Sequence, residues 1–321
     1  MYYIITTLFL VLAELGYFAI AKHFNIVDVP NWRSSHTKPV LLGGGVIFYI
    51  ALLFYSVWSG FPYPYFFIGA SIIAVVSYVD DLRGVPSWIR LVAQLLALGV
   101  AFFTQVEDME LWKILLIVVV FVAILNVYNF MDGINGMLMA YSSVFVVTFG
   151  IIDVIFLPFV DIRLLAAIMV SLLVFGFFNF RTKARCFSGD VGSVLMGLVT
   201  LFLLVSFVKS SPSATPSVSY LTFVIVFLAD GGLTVLKRFL NGKNIFQPHR
   251  EHMYETLVNE LKVPHLKVSA GYALVQAAIN GGYFLVSDKN LYCFVCAVLL
   301  VLVYGLFFFF FNRSRSERDV Q

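Results

Sequence analysis

Apolar runs of nearly 20 residues alternate along the chain with short segments that hold most of its polar and charged residues. A helix of about 20 apolar residues is long enough to cross the hydrocarbon core of a bilayer. Eleven such runs lie at about 3–22, 44–60, 64–79, 88–104, 111–128, 137–156, 163–180, 191–208, 218–236, 268–286 and 291–311. The pattern predicts an all-α, polytopic helical bundle with about 11 transmembrane helices, or 10 if one weak run does not cross the membrane.

The composition supports this fold class. With 61% hydrophobic residues, 12% charged residues and a mean hydropathy of +0.94, the chain is far outside the range of soluble domains. We therefore expect a single transmembrane domain over residues 1–321, with the polar segment 237–267 as a cytoplasmic loop that contributes to the site. The three cysteines form no metal-binding pattern, and no acidic or basic tail indicates a nucleic acid partner.

The distribution of positive charge predicts the orientation of the chain in the membrane. If the N-terminus is outside, 17 of the 21 Lys and Arg residues fall on the cytoplasmic side. Cytoplasmic loops are enriched in Lys and Arg, so this orientation is favoured and the C-terminus is expected in the cytoplasm. The conspicuous polar motifs then share that side, which a random scatter of motifs would not produce.

One of these motifs, Asn-Phe-Met-Asp-Gly-Ile-Asn-Gly at residues 129–136, interrupts the hydrocarbon with amides, glycines and one carboxylate. Asn and Gly are common in turns, so the motif is typical of a polar turn between helices. The same residues suit a ligand, because Asp132 and the amides offer oxygens to a cation or a nucleotide and the glycines allow close approach. The motif alone does not separate these two interpretations.

Carboxylates also stand at the ends of two apolar runs. Asp80 and Asp81 close the third run, where adjacent like charges beside hydrocarbon need a cation or a basic partner. They are expected either to cap the next helix or pair with Arg83 and Arg90, or to divide metal binding and proton transfer between them. Asp190 precedes the eighth run, so it is either a helix cap or a Mg²⁺ ligand beside the phosphate-binding amides of a helix N-terminus.

Two of the five histidines, His249 and His252, lie in the long loop before the tenth run. Their spacing of three would place them on one face of a helix, where together with Arg250 they would clamp a diphosphate. A zinc site is the rival interpretation. The chain lacks the H-E-x-x-H spacing and the cysteine pair that would support zinc.

Each of these signals is weak alone, but their order along residues 30–255 resembles the polyprenyl-phosphate N-acetylhexosamine-1-phosphate transferase family, glycosyltransferase family 4. The matching segments are S-S-H-T-K-P with G-G-G, D-D-L-R-G, N-V-Y-N-F-M-D-G-I-N-G, F-N-F with F-S-G-D-V-G-S, and D-G-G-L-T-V-L-K-R with P-H-R-E-H-M-Y. The opening segment is more similar to the O-antigen-initiating branch than to the peptidoglycan branch.

The resemblance implies roles for individual residues. Asp190 corresponds to the family's Mg²⁺ ligand, with Asp80 or Asp81 as a further ligand, and Mn²⁺ is the other metal expected. The catalytic residues implied are Asp80, Asp81, His249 and His252. The substrate-binding residues implied are His36, Lys38, Asn126, Asn129, Asp132, Asn135, Asn179, Lys237, Arg238 and Arg250. Asn135 departs from the family, which usually has Asp at that position, so residue 135 is a weaker candidate for binding metal.

The function implied is transfer of an N-acetylhexosamine-1-phosphate from a UDP-sugar to undecaprenyl phosphate, with release of UMP, at the cytoplasmic face of the bacterial inner membrane. The partners expected are these two substrates and membrane lipid, and a homodimer is left open. The main alternative is a secondary transporter of a small anionic substrate, which would place acids near the middle of the bilayer; here they collect at the ends of the runs, with Glu14 as the exception. A CDP-alcohol phosphotransferase would need D-G-x-x-A-R followed by spaced aspartates after Asp132, and that pattern is absent.

Overall fold

The computed structural model describes residues 1–31, 34–105, 109–211, 217–244, 247 and 249–319. Over these residues the chain is almost entirely helical. The α-helices are α1 (Tyr2–His23), α2 (Val46–Ser59), α3 (Pro64–Arg83), α4 (Ser87–Phe102), α5 (Leu111–Met131), α6 (Met137–Ile151), α7 (Ile162–Asn179), α8 (Gly189–Ser210), α9 (Ile225–Leu240), α10 (Met253–Asn259), α11 (His265–Leu285) and α12 (Lys289–Asp319). Two strands, β1 (Val27–Asp28) and β2 (Val40–Leu41), pair antiparallel.

Each of the eleven apolar runs coincides with a helix, which confirms the all-α, polytopic membrane fold. In the described part of the chain, eight helical segments are long and apolar enough to cross a membrane. The helices α2 and α4 are apolar but shorter. The number of crossings and the orientation of the termini stay predictions. The short helix α10 is the one helix that the apolar runs did not indicate, because it lies within the polar segment 237–267.

The helix α8 lies at the centre of the bundle. Its residues Val191–Leu204 are all buried, and it packs against α3, α5, α2 and α6. A helix that is apolar on every side is stable in such a position because every face meets another helix. The helix α12 is the opposite case, since only 11% of its most apolar window is buried within the protein. Its exposed apolar face is suited to lipid.

The triglycine Gly43–Gly45 holds the polar end of the bundle together by close packing. The N–H of Gly44 donates to the carbonyl of Phe187 at 2.8 Å, and the N–H of Gly45 donates to the carbonyl of Ser188 at 3.0 Å. A Cβ on Gly192 would lie 2.8 Å from the Cα of Gly45, so the starts of α2 and α8 touch backbone to backbone.

This close approach predicts that Gly192→Ala destabilises the protein. The added methyl would force α2 and α8 apart, and overpacking of this kind costs about 1–3 kcal/mol. A lower thermal unfolding temperature of the detergent-solubilised variant would show the effect. Gly99→Ala is the matched control, because a Cβ at Gly99 meets nothing within 4 Å. Equal unfolding temperatures for the two variants would contradict the proposed packing.

Candidate active site

A cavity of about 880 Å³ opens at the polar end of the bundle. Its described lining residues come from the loop between β1 and β2, from α4, from the end of α5 and the turn after it, from the start of α8 and from the loop before α10. All of these segments except α4 contain a motif noted in the sequence. Six of the implied substrate-binding residues line it, namely His36, Asn126, Asn129, Asp132, Asn135 and Asn179. Asp190, His249 and His252 line it as well. Arg33, in the first motif, lies outside the described residues. The fold therefore brings distant motifs to a single site.

Asp80 and Asp190 meet at the guanidinium of Arg90. Arg90 and Asp190 line the cavity, whereas Asp80 and Asp81, which were also expected at the site, do not. Arg90 Nη1 donates to Asp80 Oδ2 at 3.0 Å and to Asp190 Oδ2 at 3.3 Å. The other oxygen of Asp190 accepts a hydrogen bond from Asn129 Nδ2 at 2.7 Å. The sequence indicated Arg90 only as a pairing partner of the Asp80 motif. In the structure it joins two carboxylates that lie 110 positions apart in the chain.

Asp81 holds the N-terminus of α8. Its Oδ1 accepts from the N–H of Asp190 at 2.8 Å, and its Oδ2 accepts from the N–H of Val191 at 3.1 Å. The first amides of a helix have no partner within the helix, so a carboxylate placed there satisfies them and interacts favourably with the helix dipole. Gly189 permits this approach, because its φ is +71° and a Cβ would collide with the Asp81 carboxylate.

This part of the site has the chemistry of a divalent cation site. Three carboxylates, Asp80, Asp81 and Asp190, are balanced by one guanidinium, and the excess negative charge favours a bound cation. The ligands available are hard carboxylate oxygens, which Mg²⁺ prefers. Both oxygens of each of these carboxylates accept a hydrogen bond within the protein, but Asp190 lines the cavity and Asp80 and Asp81 do not, so Asp190 is the best placed of the three to hold the ion.

Asp132 lies on the neighbouring wall and accepts a hydrogen bond from the hydroxyl of Ser188. Removal from solvent raises the pKa of Asp132 to about 8, and the hydrogen bond from Ser188 offsets part of that rise. The turn that carries Asp132 is packed against Tyr254, whose hydroxyl donates to the carbonyl of Phe130 at 2.8 Å. The hydroxyl also lies where a Cβ on Gly133 would be, which is why this position needs glycine.

Two buried amides connect the loops around the cavity. Asn179 accepts from the N–H of Gly136 at 2.7 Å and donates to the carbonyl of Cys186 at 2.9 Å. Asn135 donates to the carbonyl of Arg181 at 2.8 Å. It is only 6% exposed, so this hydrogen bond is shielded from water. At residue 135 the side chain acts as a donor to a carbonyl, a role that the carboxylate usual in the family cannot fill.

His249 and His252 lie beside one another, but not on a helix as their spacing predicted. Residues 250–252 are not helical, and His252 is the N-cap of α10. The ring centres still lie 4.9 Å apart. Ligand atoms of His249, His252 and Glu255 are all within 4.8 Å of one another, which is a geometry that could hold a metal ion.

The pKa values of the two imidazoles are shifted in opposite directions. Burial lowers the pKa of His249 to about 4, and the neighbouring His252 and Arg238 act in the same direction. Burial also opposes the charged form of His252, but the Asp230 carboxylate, 3.6 Å from its Nδ1, outweighs that effect and raises the pKa of His252. Two neighbouring groups whose pKa values are moved apart in this way can divide the work of a cation and a neutral hydrogen-bonding group.

Four basic residues implied by the resemblance do not line the cavity formed by the described residues, namely Lys38, Lys237, Arg238 and Arg250. Lys38 is exposed on the loop before β2. The ammonium of Lys237 lies 3.8 Å from the ring centre of Phe308, and Arg238 forms an ion pair with Glu251 at 2.5 Å. Lys237 and Arg238 therefore contact other parts of the protein in this structure.

Sequence reasoning missed several residues at the site, notably Ser188, Ser193, Tyr254, Glu255 and Asp230. Ser188, Ser193 and Tyr254 lie within matching segments but were given no role, because Ser and Tyr are ordinary residues in polar segments, and Glu255 follows the last of these segments directly. Asp230 had a signal. It is an acid within the ninth apolar run, and ionisable residues in such runs usually have a function.

The fold and the site together define a polytopic membrane protein with a carboxylate and histidine site at one end of the bundle. Residues 63–208 match the sequence model of Glycosyl transferase family 4. The chain is 26% identical over 300 residues to the undecaprenyl-phosphate alpha-N-acetylglucosaminyl 1-phosphate transferase of Salmonella typhi, an alignment that covers 86% of this chain and 77% of the relative.

Two further relatives have the same name. The Escherichia coli (strain K12) protein is 25% identical over 299 residues, again covering 86% of this chain and 77% of the relative. The Yersinia pestis protein is 25% identical over 285 residues, covering 81% of this chain and 74% of the relative. The chain is thus similar to glycosyl transferase family 4 over residues 63–208, and to these transferases over most of its length.

The amide at residue 135 predicts that Asn135→Asp weakens the protein rather than restoring a family motif. A carboxylate would face the carbonyl of Arg181 without a proton to donate, and an unsatisfied buried polar group costs about 1–3 kcal/mol. We expect a lower thermal unfolding temperature and lower activity. The exposed Asn25→Asp is the control for the added charge. A variant at residue 135 that is as stable as the control, or more active than the wild type, would disprove this role.

Proposed function

We propose that the protein transfers an N-acetylhexosamine-1-phosphate from a UDP-sugar to undecaprenyl phosphate and releases UMP. The observation that carries the proposal is the pairing of Asp80 and Asp190 at Arg90, beside a cavity of about 880 Å³. The names of the relatives agree with the acceptor lipid and with transfer of a sugar phosphate.

In the proposed reaction an oxygen of the lipid phosphate attacks the phosphorus that bears the sugar. A new phosphorus–oxygen bond forms, the bond to the UMP oxygen breaks, and UMP leaves in line with the attack. Mg²⁺ bound by Asp80 and Asp190, or Mn²⁺ in its place, would supply positive charge to the phosphate oxygens. The protein's contribution is mainly to position the two phosphates and to stabilise the charge that develops between them.

The side chains around the cavity divide these tasks. Asn129 and Arg90 fix the two oxygens of Asp190, and Asp81 fixes the helix on which it stands. His252, whose pKa is raised beside Asp230, would supply positive charge to the diphosphate in its protonated form. The neutral imidazole beside it is free to accept or donate a hydrogen bond. The asparagines and the carboxyl of residue 132 are the groups best placed to bind the nucleotide-sugar.

The lipid substrate can reach this cavity from the bilayer. Trp88 and Leu91, on the first turns of α4, line the cavity and are 67% and 43% exposed. Exposed apolar side chains of a membrane helix suit contact with hydrocarbon, so the isoprenoid chain can lie along α4 while its phosphate enters beside Arg90. A lipid bound in this way stays in the membrane during the reaction, whereas a soluble enzyme would have to extract it.

We further propose that the protein lies in the bacterial inner membrane with this cavity facing the cytoplasm, where UDP-sugars are made. The excess of Lys and Arg on that side supports the orientation. The resemblance of the opening motif supports a role in starting O-antigen or another envelope glycan. N-acetylglucosamine, which the names of the relatives specify, is the first sugar to test.

The proposal is tested by UMP release. Membranes that contain the protein are incubated with undecaprenyl phosphate, Mg²⁺ and a panel of UDP-N-acetylhexosamines, and UMP is measured. We expect UMP with one or a few of these sugars, in amounts that depend on the lipid and on Mg²⁺. An absence of UMP with every sugar would refute the proposed reaction and favour transport of a small anion instead.

Asp190→Asn should abolish Mg²⁺-dependent transfer while leaving membrane insertion intact. The amide removes one negative charge from the floor of the cavity, and loss of one such electrostatic group lowers kcat by about 100- to 1,000-fold in other enzymes. Glu260→Gln, an exposed acid beyond the end of α10, is the control for a lost charge and should keep wild-type activity. A fully active Asp190→Asn variant would show that Asp190 does not bind the metal.

A further inference from the structure

Asp230 is a buried acid of α9 to which the proposed reaction assigns no role. It lies ten residues before the end of α9 and is 2% exposed. A carboxylate in such a position is costly unless several donors satisfy it. The structure provides those donors from α9, α10 and α11, close to His252, which lines the cavity.

Both oxygens of Asp230 are occupied. Its Oδ1 accepts from the N–H of Met253 at 2.9 Å and from the hydroxyl of Thr234 at 3.3 Å, and it lies 3.6 Å from Nδ1 of His252. Its Oδ2 accepts from the N–H of Tyr254 at 3.1 Å and from the hydroxyl of Tyr272 at 2.6 Å. A side chain of α9 therefore caps the N-terminus of α10.

The helix α10 depends on such a cap. It has seven residues, and helices of this length are not stable by themselves. Its own capping contact runs from the N–H of His252 to Glu255 at 3.1 Å, which leaves the next amides without partners inside the helix. Asp230 accepts from those amides, so it fixes both the start of α10 and the backbone that carries His252.

The same cap is also connected to the turn of Asp132, which lines the cavity as well. Tyr254, whose N–H is held by Asp230, donates its hydroxyl to the carbonyl of Phe130 at the end of α5. The turn of Asp132 follows directly in the chain. Asp230 is thus connected by two hydrogen bonds to the segment that carries Asp132, and by one contact to the imidazole of His252.

We propose that Asp230 is a positioning residue of the transfer reaction: it orients His252 toward the cavity and docks α10 against the turn of Asp132. The inference rests on the function proposed above. Nδ1 of His252 faces the carboxylate of Asp230, so Nε2 is the nitrogen left for the substrate phosphate. A carboxylate that holds one imidazole nitrogen in this way sets the orientation of the ring and the direction of the other nitrogen.

A carboxylate is required at this position, and a neutral polar group cannot replace it. An Asn at residue 230 has one accepting oxygen, so its NH₂ would face the N–H of either Met253 or Tyr254. One end of the cap would be lost, and His252 would lose its anionic partner. Loss of such an orienting partner lowers activity by about 10- to 100-fold in comparable sites.

The first test measures how Asp230 and His252 act together. In the UMP assay, Asp230→Asn should lower kcat by about 10- to 100-fold with a smaller change in KM. In a His252→Gln background the same substitution should have a clearly smaller effect, because the part that acts through that imidazole is already lost and only the docking of α10 remains. Asp230→Glu should recover part of the activity. Tyr272→Phe is the matched control, since it removes one neutral donor to Asp230 and leaves the charge and both backbone contacts in place.

The second test does not depend on activity. Hydrogen–deuterium exchange of the peptide that covers residues 249–259 should be faster in Asp230→Asn than in wild type or Tyr272→Phe, because the amides of Met253 and Tyr254 lose their acceptor. Unchanged exchange would overturn the inference, as would an Asp230→Asn effect that adds in full to that of His252→Gln. Absence of UMP release by the wild type would refute the proposed function, and the exchange data would then still decide whether Asp230 docks α10.

Discussion

The hydrogen bonds from the first amides of α8 to Asp81 are the contacts on which the rest of the site depends. Among the described helices that are long and apolar enough to cross a membrane, α8 has the largest buried share, and its first residues line the cavity. Asp81 satisfies two of its first amides at 2.8 and 3.1 Å, and Asp190 stands on the same turn. The cap therefore fixes where the Asp190 carboxylate lies relative to Arg90 and Asp80. Without it, two backbone amides would lack acceptors and the floor of the cavity would lose its alignment.

Carboxylates and imidazoles both line the cavity, with Asp190 beside Arg90 and His249 beside His252. Each pair is supported by an acid that accepts backbone N–H groups at a helix start, Asp81 for α8 and Asp230 for α10. Asn179 and Asn135 connect the turn before α6 to the segment between α7 and α8. The hydrogen bond from Asn135 to the carbonyl of Arg181 is a local structural reason for an amide at residue 135.

The sequence by itself determined the fold class and the location of the site in the chain. Apolar runs of bilayer length form helices, because in hydrocarbon a single segment can satisfy its backbone hydrogen bonds only within a helix. Polar motifs at the ends of these runs must then meet at the ends of the bundle, which is why the residues from His36 to His252 can be grouped by pattern alone. Residue types also indicated carboxylates and histidines as the reactive groups.

Only the tertiary structure decided which of these groups meet and which do not. The shared Arg90 and the two caps depend on contacts between residues far apart in the chain, and local pattern carries no information about them. The same reason explains why the sequence pattern groups Lys38, Lys237 and Arg238 with the site although they do not line the cavity formed by the described residues. A basic residue near a motif has several partners within reach, and packing selects among them. Asp230 is a different case. A single acid in an apolar run indicates that the residue is important, but only the tertiary structure shows that it contacts α10 and His252.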